Sequence, residues 1–241
     1  MPDASPRLRH HLLHPSGGLV YLLRALRYRN RLWAPFHAQV AAWLEGWNPG
    51  HDRLILIGPN AGHALPPGFL DRFQQVVALE PDPLARLGLR RRTPGTRLSF
   101  SSLDCLADDH GLARLARAYP DSAILFCNVL GQVDAPGGRW SDLILHHLSG
   151  HAWGSYHDVI STRRQPERQA SAHALRPERL EATLSRFWSG GELAVVDHGT
   201  HCLGEQGPFS YALWQITPKD WHLVEWACQA AMKRPAGATG G

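Results

Sequence analysis

Lysine is almost missing from this chain: only Lys219 and Lys233 stand among 25 basic residues. A dedicated polyanion binder carries a strong basic stripe, and none runs through this sequence. The net charge of +4 comes from residues 1–50, where six arginines face only Asp3 and Glu45, and 19 residues of each sign remain beyond. RNA is therefore a partner only through that basic N-terminal helix. Long apolar runs are scarce too. Before Asp52 no uncharged apolar stretch approaches ~18 residues, and MPDASPRLRHH has no signal-peptide core, so a cytoplasmic protein without membrane contact is expected. The four cysteines, Cys105, Cys127, Cys202 and Cys228, form no CxxC pair, which fits reduced thiols better than a disulfide framework or a zinc knuckle. No internal repeat is visible.

What is present is a chain of 241 residues, 44% hydrophobic and only 19% charged, enough for one α/β domain with a substantial core. Leu19, Leu22, Leu23 and Leu26 give a helical apolar face, with Arg24, Arg27 and Arg31 on the other side. Pro35 interrupts, and Phe36, Val40, Trp43, Leu44 and Trp47 continue the period to Asn48-Pro49-Gly50. Residues 1–50 thus read as a helical extension packed on the domain. Alternation follows: strands at 54–57, 76–79, 96–100, 122–127 and 192–196, and helices at 65–75, 83–92, 107–119, 140–148 and 177–188. Short apolar runs suit buried parallel strands. A polar insertion is expected at about 131–176. Residues 211–216 and 221–226 flank Thr217-Pro218-Lys219-Asp220 as an antiparallel hairpin, and 231–241 reads as a disordered tail.

The segment from Arg53 to Glu80, RLILIGPNAGHALPPGFLDRFQQVVALE, reads as strand, glycine turn, helix, strand and terminal carboxylate. Gly58 and Gly62 would let the backbone approach a ligand, and a helix from near Pro66 would aim its positive end there. Glu80 follows Gly58 by close to the ~20 residues expected between such a turn and a ribose-binding acid.

With the aspartate after strand three, a polar residue ending strand four and a late hairpin, residues 50–228 resemble the class I S-adenosylmethionine-dependent methyltransferases. The resemblance implies a Rossmann-like, mostly parallel seven-stranded sheet with a C-terminal antiparallel hairpin, and S-adenosylmethionine as cofactor. It implies that Gly58, Pro59, Asn60 and Gly62 wrap the methionine part, Glu80 holds the ribose, and Asp104 with Cys105 meets the adenine. Asn128 would lie near the transferred methyl and the acceptor. The turn departs from the family at Leu56, where an acid is usual, and at Asn60, where glycine is usual; asparagine tolerates the left-handed conformation. A non-catalytic methyltransferase-like scaffold is the alternative such departures leave open.

Ligands of open parallel sheets sit beyond the strands' carboxyl ends. Asn128 could orient an acceptor, and Asp197 with His198 offers a general base and a carboxylate to hold its ring. Trp140, Trp153 and Tyr156 would line an aromatic pocket suited to a small-molecule acceptor. His147, His151, His157 and His201 are the side chains to weigh as metal ligands for a hydrolase, yet no HExxH or compact cysteine pattern accompanies them, and no metal is assigned. The acceptor and the oligomeric state are not encoded legibly.

Overall fold

The computed structural model describes residues 18–168, 171–204 and 207–230. The sequence MPDASPRLRHH and the 231–241 tail lie outside them, as does the side chain of Leu19.

Two helices, α1 (Gly18–Tyr28) and α2 (Ala34–Gly46), lead into β1 (Arg53–Ile57), β2 (Gln75–Leu79), α3 (Pro83–Arg92) and β3 (Leu98–Ser101). Next come α4 (Gly111–Ala118), β4 (Ala123–Cys127), α5 (Trp140–Leu148), β5 (Trp153–Thr162), β6 (Ser171–Ala174) and α6 (Leu180–Leu184). The chain ends in β7 (Val196–Asp197) and the hairpin β8 (Phe209–Thr217) with β9 (Asp220–Gln229). The sheet runs β3-β2-β1-β4-β5-β9-β8-β6, with β7 beside β5. From β3 to β5 all pairs are parallel, and β9 returns antiparallel to β5. The described sheet has nine strands where seven were expected, because β6 extends the β8 edge and β7 adds a short antiparallel pair.

β1 and β4 form the dry centre. Leu54, Ile55, Leu56 and Ala123 to Phe126 are fully buried because both faces of the sheet are covered. On one face α2 inserts Phe36, Val40 and Leu44, and Trp33 donates its indole N–H to the Ile216 carbonyl at 3.0 Å. The leucine face expected on α1 does not turn inward. Ala25 is buried and Tyr21 packs on Trp33, ring centroids 5.3 Å apart, while Leu23 and Leu26 are 58% and 71% exposed. Aromatic partners on α2 thus outbid the leucine stripe in setting the rotation of α1.

Two further expectations fail. The helix expected at 65–75 is a single 3-10 turn, Leu70–Arg72; Pro66-Pro67-Gly68, with Gly68 at φ 78°, breaks helical continuity. No helix N-terminus therefore points at the glycine turn from that segment. The fifth strand is not 192–196 but β5, inside the expected insertion 131–176. The apolar run at 192–196 is mostly irregular, and only Val196 and Asp197 pair with β5. The helix expected over 177–188 shrinks to α6. Elsewhere the helix expected over 107–119 starts only at Gly111 as α4, α5 matches, and α3 opens as expected on Asp82, whose side chain accepts the Leu84 N–H at 2.8 Å ahead of Pro83. Among the described residues no helix is long and apolar enough to cross a membrane.

Candidate active site

The turn after β1 is built on left-handed backbone at Gly58, Asn60 and Gly62, with φ of 63°, 50° and 71°. A Cβ on Gly62 would lie 2.6 Å from the Leu89 methyl, so both backbone conformation and space favour glycine there. The Asn60 side chain accepts the Ala61 N–H at 2.7 Å, which fixes it in the turn. Glu80, at the end of β2, reaches back: one carboxylate oxygen accepts the Asn60 N–H at 2.8 Å, the other the Asp82 N–H at 3.0 Å. Burial pushes the Glu80 carboxyl up to about 7, against the pull of those two N–H groups.

Gly58, Pro59, Asn60 and Asn128 border one small cavity of about 40 Å³, closed on its far side by Tyr21, Phe36 and His37 from the N-terminal helices. His37 Nε2 is buried there without a partner, and burial lowers its pKa to about 4. Asp104 accepts the Leu106 N–H at 3.1 Å in the turn after β3. Cys105 is different: its thiol is buried in the cluster of Leu112, Leu115 and Leu130, and its pKa is pushed up to about 12 by burial. Its side chain is a packing group, which leaves only its main chain for a ligand.

A second cavity of about 330 Å³ lies beyond the end of β4 and shares Tyr21, Asn128, Gln132 and Trp214 with the first. Asn128 sits at φ 52°, its N–H bound to Tyr156 O at 2.7 Å, and this turns its amide toward β5. There Nδ2 donates to Asp158 Oδ2 at 3.3 Å, while Oδ1 is buried with no partner. Asp158 lies in β5 beside its bulge and is 2% exposed. His222 of β9 approaches it, Nδ1 to Oδ1 at 3.1 Å, without the alignment of a hydrogen bond, so the contact is chiefly Coulombic. Burial alone would raise the Asp158 carboxyl, but His222, His198 and Asn128 outweigh it and hold it below the usual range. Burial alone would lower His222, but Asp158 overrides it and raises its pKa. The result favours an ion pair between a buried carboxylate and a partly exposed imidazole.

His198 completes the wall. Its N–H is bound to Val159 O at 2.9 Å, its ring stacks on His222 at 6.2 Å, and its Nε2 is buried without a partner. Burial lowers its pKa, so a neutral imidazole faces this cavity at neutral pH. Asp197 does not hold that ring: it is exposed in β7 and accepts the Gly199 N–H at 2.8 Å. Asp158 and His222 are the groups that were missed. The signal for Asp158 was a strand, WGSYHDVIST, whose aromatic and β-branched residues are interrupted by polar ones, and His222 lay in the second strand of the expected hairpin.

The aromatic lining also differs from expectation. Trp140 and Trp153 are core residues, Tyr156 lines the smaller cavity, and Trp33 with Trp214 lines the larger one. Nor do the four expected histidines converge. His151 lies 3.3 Å from Ser122 O, His157 3.1 Å from Thr200 O, and His201 3.0 Å from the Thr183 hydroxyl, while His147 pairs with His146 at the end of α5.

A parallel sheet ordered β3-β2-β1-β4-β5, closed by an antiparallel β9 and then β8, decides the architecture. The fold is that of the class I methyltransferases. No family model matches the chain, and no curated protein matches it. Among solved structures it is similar to DhpI in complex with SAH, at 14% identity over 88% of this chain and 93% of that one, TM-score 0.39. It is also similar to magnesium protoporphyrin IX methyltransferase (ChlM) from Synechocystis PCC 6803 with bound SAH, at 15% identity over 89% and 90%, TM-score 0.43. The glycopeptide N-methyltransferase MtfA complexed with S-adenosylmethionine matches at 15% identity over 79% and 92%, TM-score 0.39.

Proposed function

We propose that this methyltransferase-like chain transfers a methyl group from S-adenosylmethionine to a small-molecule acceptor in the 330 Å³ cavity. The observation that carries this is that Asn128, His198 and Trp214, which line that cavity, each hold a buried polar atom without a partner, Oδ1, Nε2 and Nε1, beside the Asp158–His222 pair. Buried polar atoms are rarely left unsatisfied unless something else meets them.

The residues at the glycine turn fit the cofactor by their chemistry. Main-chain groups from Gly58 to Gly62 would cradle it, Glu80 would accept from ribose hydroxyls with the lone pairs its N–H partners leave free, Asp104 would face the adenine, and Asn128 would stand at the junction. The cavity there is about 40 Å³, against the roughly 300 Å³ or more of typical ligand sites, so Tyr21 and His37 must yield. Tyr21 rides on α1, where Leu23 and Leu26 are exposed and only Ala25 among the described side chains is fully buried, whereas His37 belongs to α2 and would turn within its own helix.

When bound, the cofactor supplies an electrophilic methyl on a sulfonium. The chain's own part is to orient and desolvate the acceptor, through Asn128 and Trp214, and to take its proton where it has one to lose. His198 Nε2 would take that proton, and Asp158, whose charge acts on the ring more strongly than that of Asp197, would stabilise the imidazolium that results.

Calorimetric titration with S-adenosylmethionine and S-adenosylhomocysteine tests this. Wild type should bind weakly, Tyr21→Ala more tightly, and Glu80→Gln less. No binding by either wild type or Tyr21→Ala at millimolar ligand sinks the proposal. That outcome would favour the second reading, a non-catalytic module, for which the narrow cavity at the glycine turn is the specific support.

A further inference from the structure

We infer that His201, Cys202, Glu225 and Tyr211 form a site for a borderline-soft divalent cation such as zinc, where the loop 198–204 crosses the β8–β9 hairpin. The inference does not depend on methyl transfer.

The donor spacing is the first support. His201 Nε2 lies 3.7 Å from Cys202 Sγ and 3.3 Å from the Tyr211 hydroxyl, and Sγ lies 3.7 Å from that hydroxyl. One donor atom each from His201, Cys202 and Glu225 lies within 4.8 Å of the others. A tetrahedral ion with bonds of about 2.0–2.3 Å to nitrogen, oxygen and sulfur keeps its donors roughly 3.3–3.6 Å apart. Small side-chain shifts close the remainder.

Charge is the second. Glu225 is fully buried; its carboxylate accepts the N–H groups of Cys202 and Leu203, at 2.8 and 2.9 Å, interacts with the Tyr211 hydroxyl, and has His157 Nε2 3.4 Å away. His157 Nε2 also faces the Thr200 carbonyl at 3.1 Å, and Nδ1 meets Ser155 Oγ at 2.9 Å, so its ring is shared between these oxygens and the carboxylate. Among the described residues no arginine or lysine is paired with Glu225. A carboxylate removed from water without a cation is costly, and each oxygen keeps a lone pair. With the Cys202 thiolate it would balance a dication. On binding, the Cys202 S–H bond breaks, its proton leaves to solvent, and a sulfur–metal bond forms.

Backbone strain is the third. Cys202 holds φ 56°, an unusual conformation for a residue with a Cβ, and it brings Sγ and the adjacent His201 ring to one side of the loop. The same loop begins at His198. A cation here would pin the segment that presents that imidazole.

The test uses the full chain expressed without a metal-chelating tag. Elemental analysis should find about one zinc per chain, a chelator should lower the thermal midpoint, and added zinc should restore it. Cobalt in place of zinc should give a thiolate-to-cobalt charge-transfer band, which zinc-binding histidines elsewhere cannot produce. Cys202→Ser should abolish the band, and Cys202→Ser and His201→Gln should each lower zinc affinity by more than about tenfold. Folded wild-type protein without zinc, without a cobalt band and with no thermal response to zinc overturns the inference. So does an unchanged band in Cys202→Ser.

Discussion

β4 and β5 are paired neighbours, in register from Ile124 opposite Trp153 to Cys127 opposite Tyr156, yet they are built on different principles. Every residue of β4 is apolar and buried. β5 buries Ser155, His157 and Asp158 at the same depth: Ser155 meets His157 within the strand, His157 meets the Thr200 carbonyl, and Asp158 meets Asn128 from the end of β4 and His222 from β9. The contrast separates two tasks. β4, its partner β1 and the next strand β2 specify the fold by burial alone, and β5 positions charge because the rest of the fold already encloses it.

The largest effect should fall on the apolar side. Phe126→Ala, at a fully buried site in β4, should cost about 3–5 kcal/mol in chemical denaturation. Asp158→Asn, which keeps shape and removes charge, should cost less, about 1–3 kcal/mol. Equal losses would erase the distinction between the strands.

Glu80 sharpens the comparison from the β2 end, where a charge is held by backbone N–H groups and not by a cation. Its folded pKa is raised from 4.5 to about 7. Below 4.5 the protonated form contributes its full stability, and that contribution is lost as pH rises through about 7. Glu80→Gln should therefore flatten the stability profile across this window, by up to about 3 kcal/mol. A profile as steep as that of wild type would show that Glu80 is ionised and comfortable already.

The Asp158–His222 pair titrates with the opposite logic on its acid side. The Asp158 pKa is lowered, so its stabilisation is present above the unfolded value and lost as pH falls toward the folded one. That of His222 is raised, so its stabilisation is complete below its unfolded value and lost as pH rises through the folded one. The stability gap between wild type and Asp158→Asn should peak between about pH 4 and 6.5 and narrow on both sides. A gap independent of pH would mean that packing, not charge, is what the substitution removes.

The same contrast explains what could be read from the sequence. β1, β2 and β4 are short apolar runs, the hairpin is flanked by turn residues, and Asp82-Pro83 announces α3; local chemistry decided each of them. β5 failed because Gly154, Ser155, His157 and Asp158 mask its strand pattern, and what makes them tolerable comes from residues far away in the chain, at 128, 200 and 222. The run at 192–196 misled for the converse reason: it is apolar, but only Val196 and Asp197 reach β5, at Ser161 and Ile160, on the edge that β4 occupies from Trp153 to Tyr156. At the site, Glu80 and Asn128 were legible from strand ends, whereas pairing His198 with Asp197 followed sequence adjacency and overlooked Asp158 across the sheet.

The smallest effect should come from Asn60. Its φ of 50° would force alanine into the left-handed region, where an L-residue pays roughly 1–2 kcal/mol, so Asn60→Ala should lose about 1 kcal/mol or slightly more. Asn60→Gly removes the bond from the Ala61 N–H to Oδ1 but also the steric cost of the conformation, and should stay within about 0.5 kcal/mol of wild type. Both variants keep the Asn60 N–H that Glu80 accepts, so both leave the acid tied to the turn. Thermal denaturation of the two separates backbone from side chain. If glycine costs as much as alanine, then it is the Oδ1 bond, and not the left-handed backbone, that holds the turn after β1 in place.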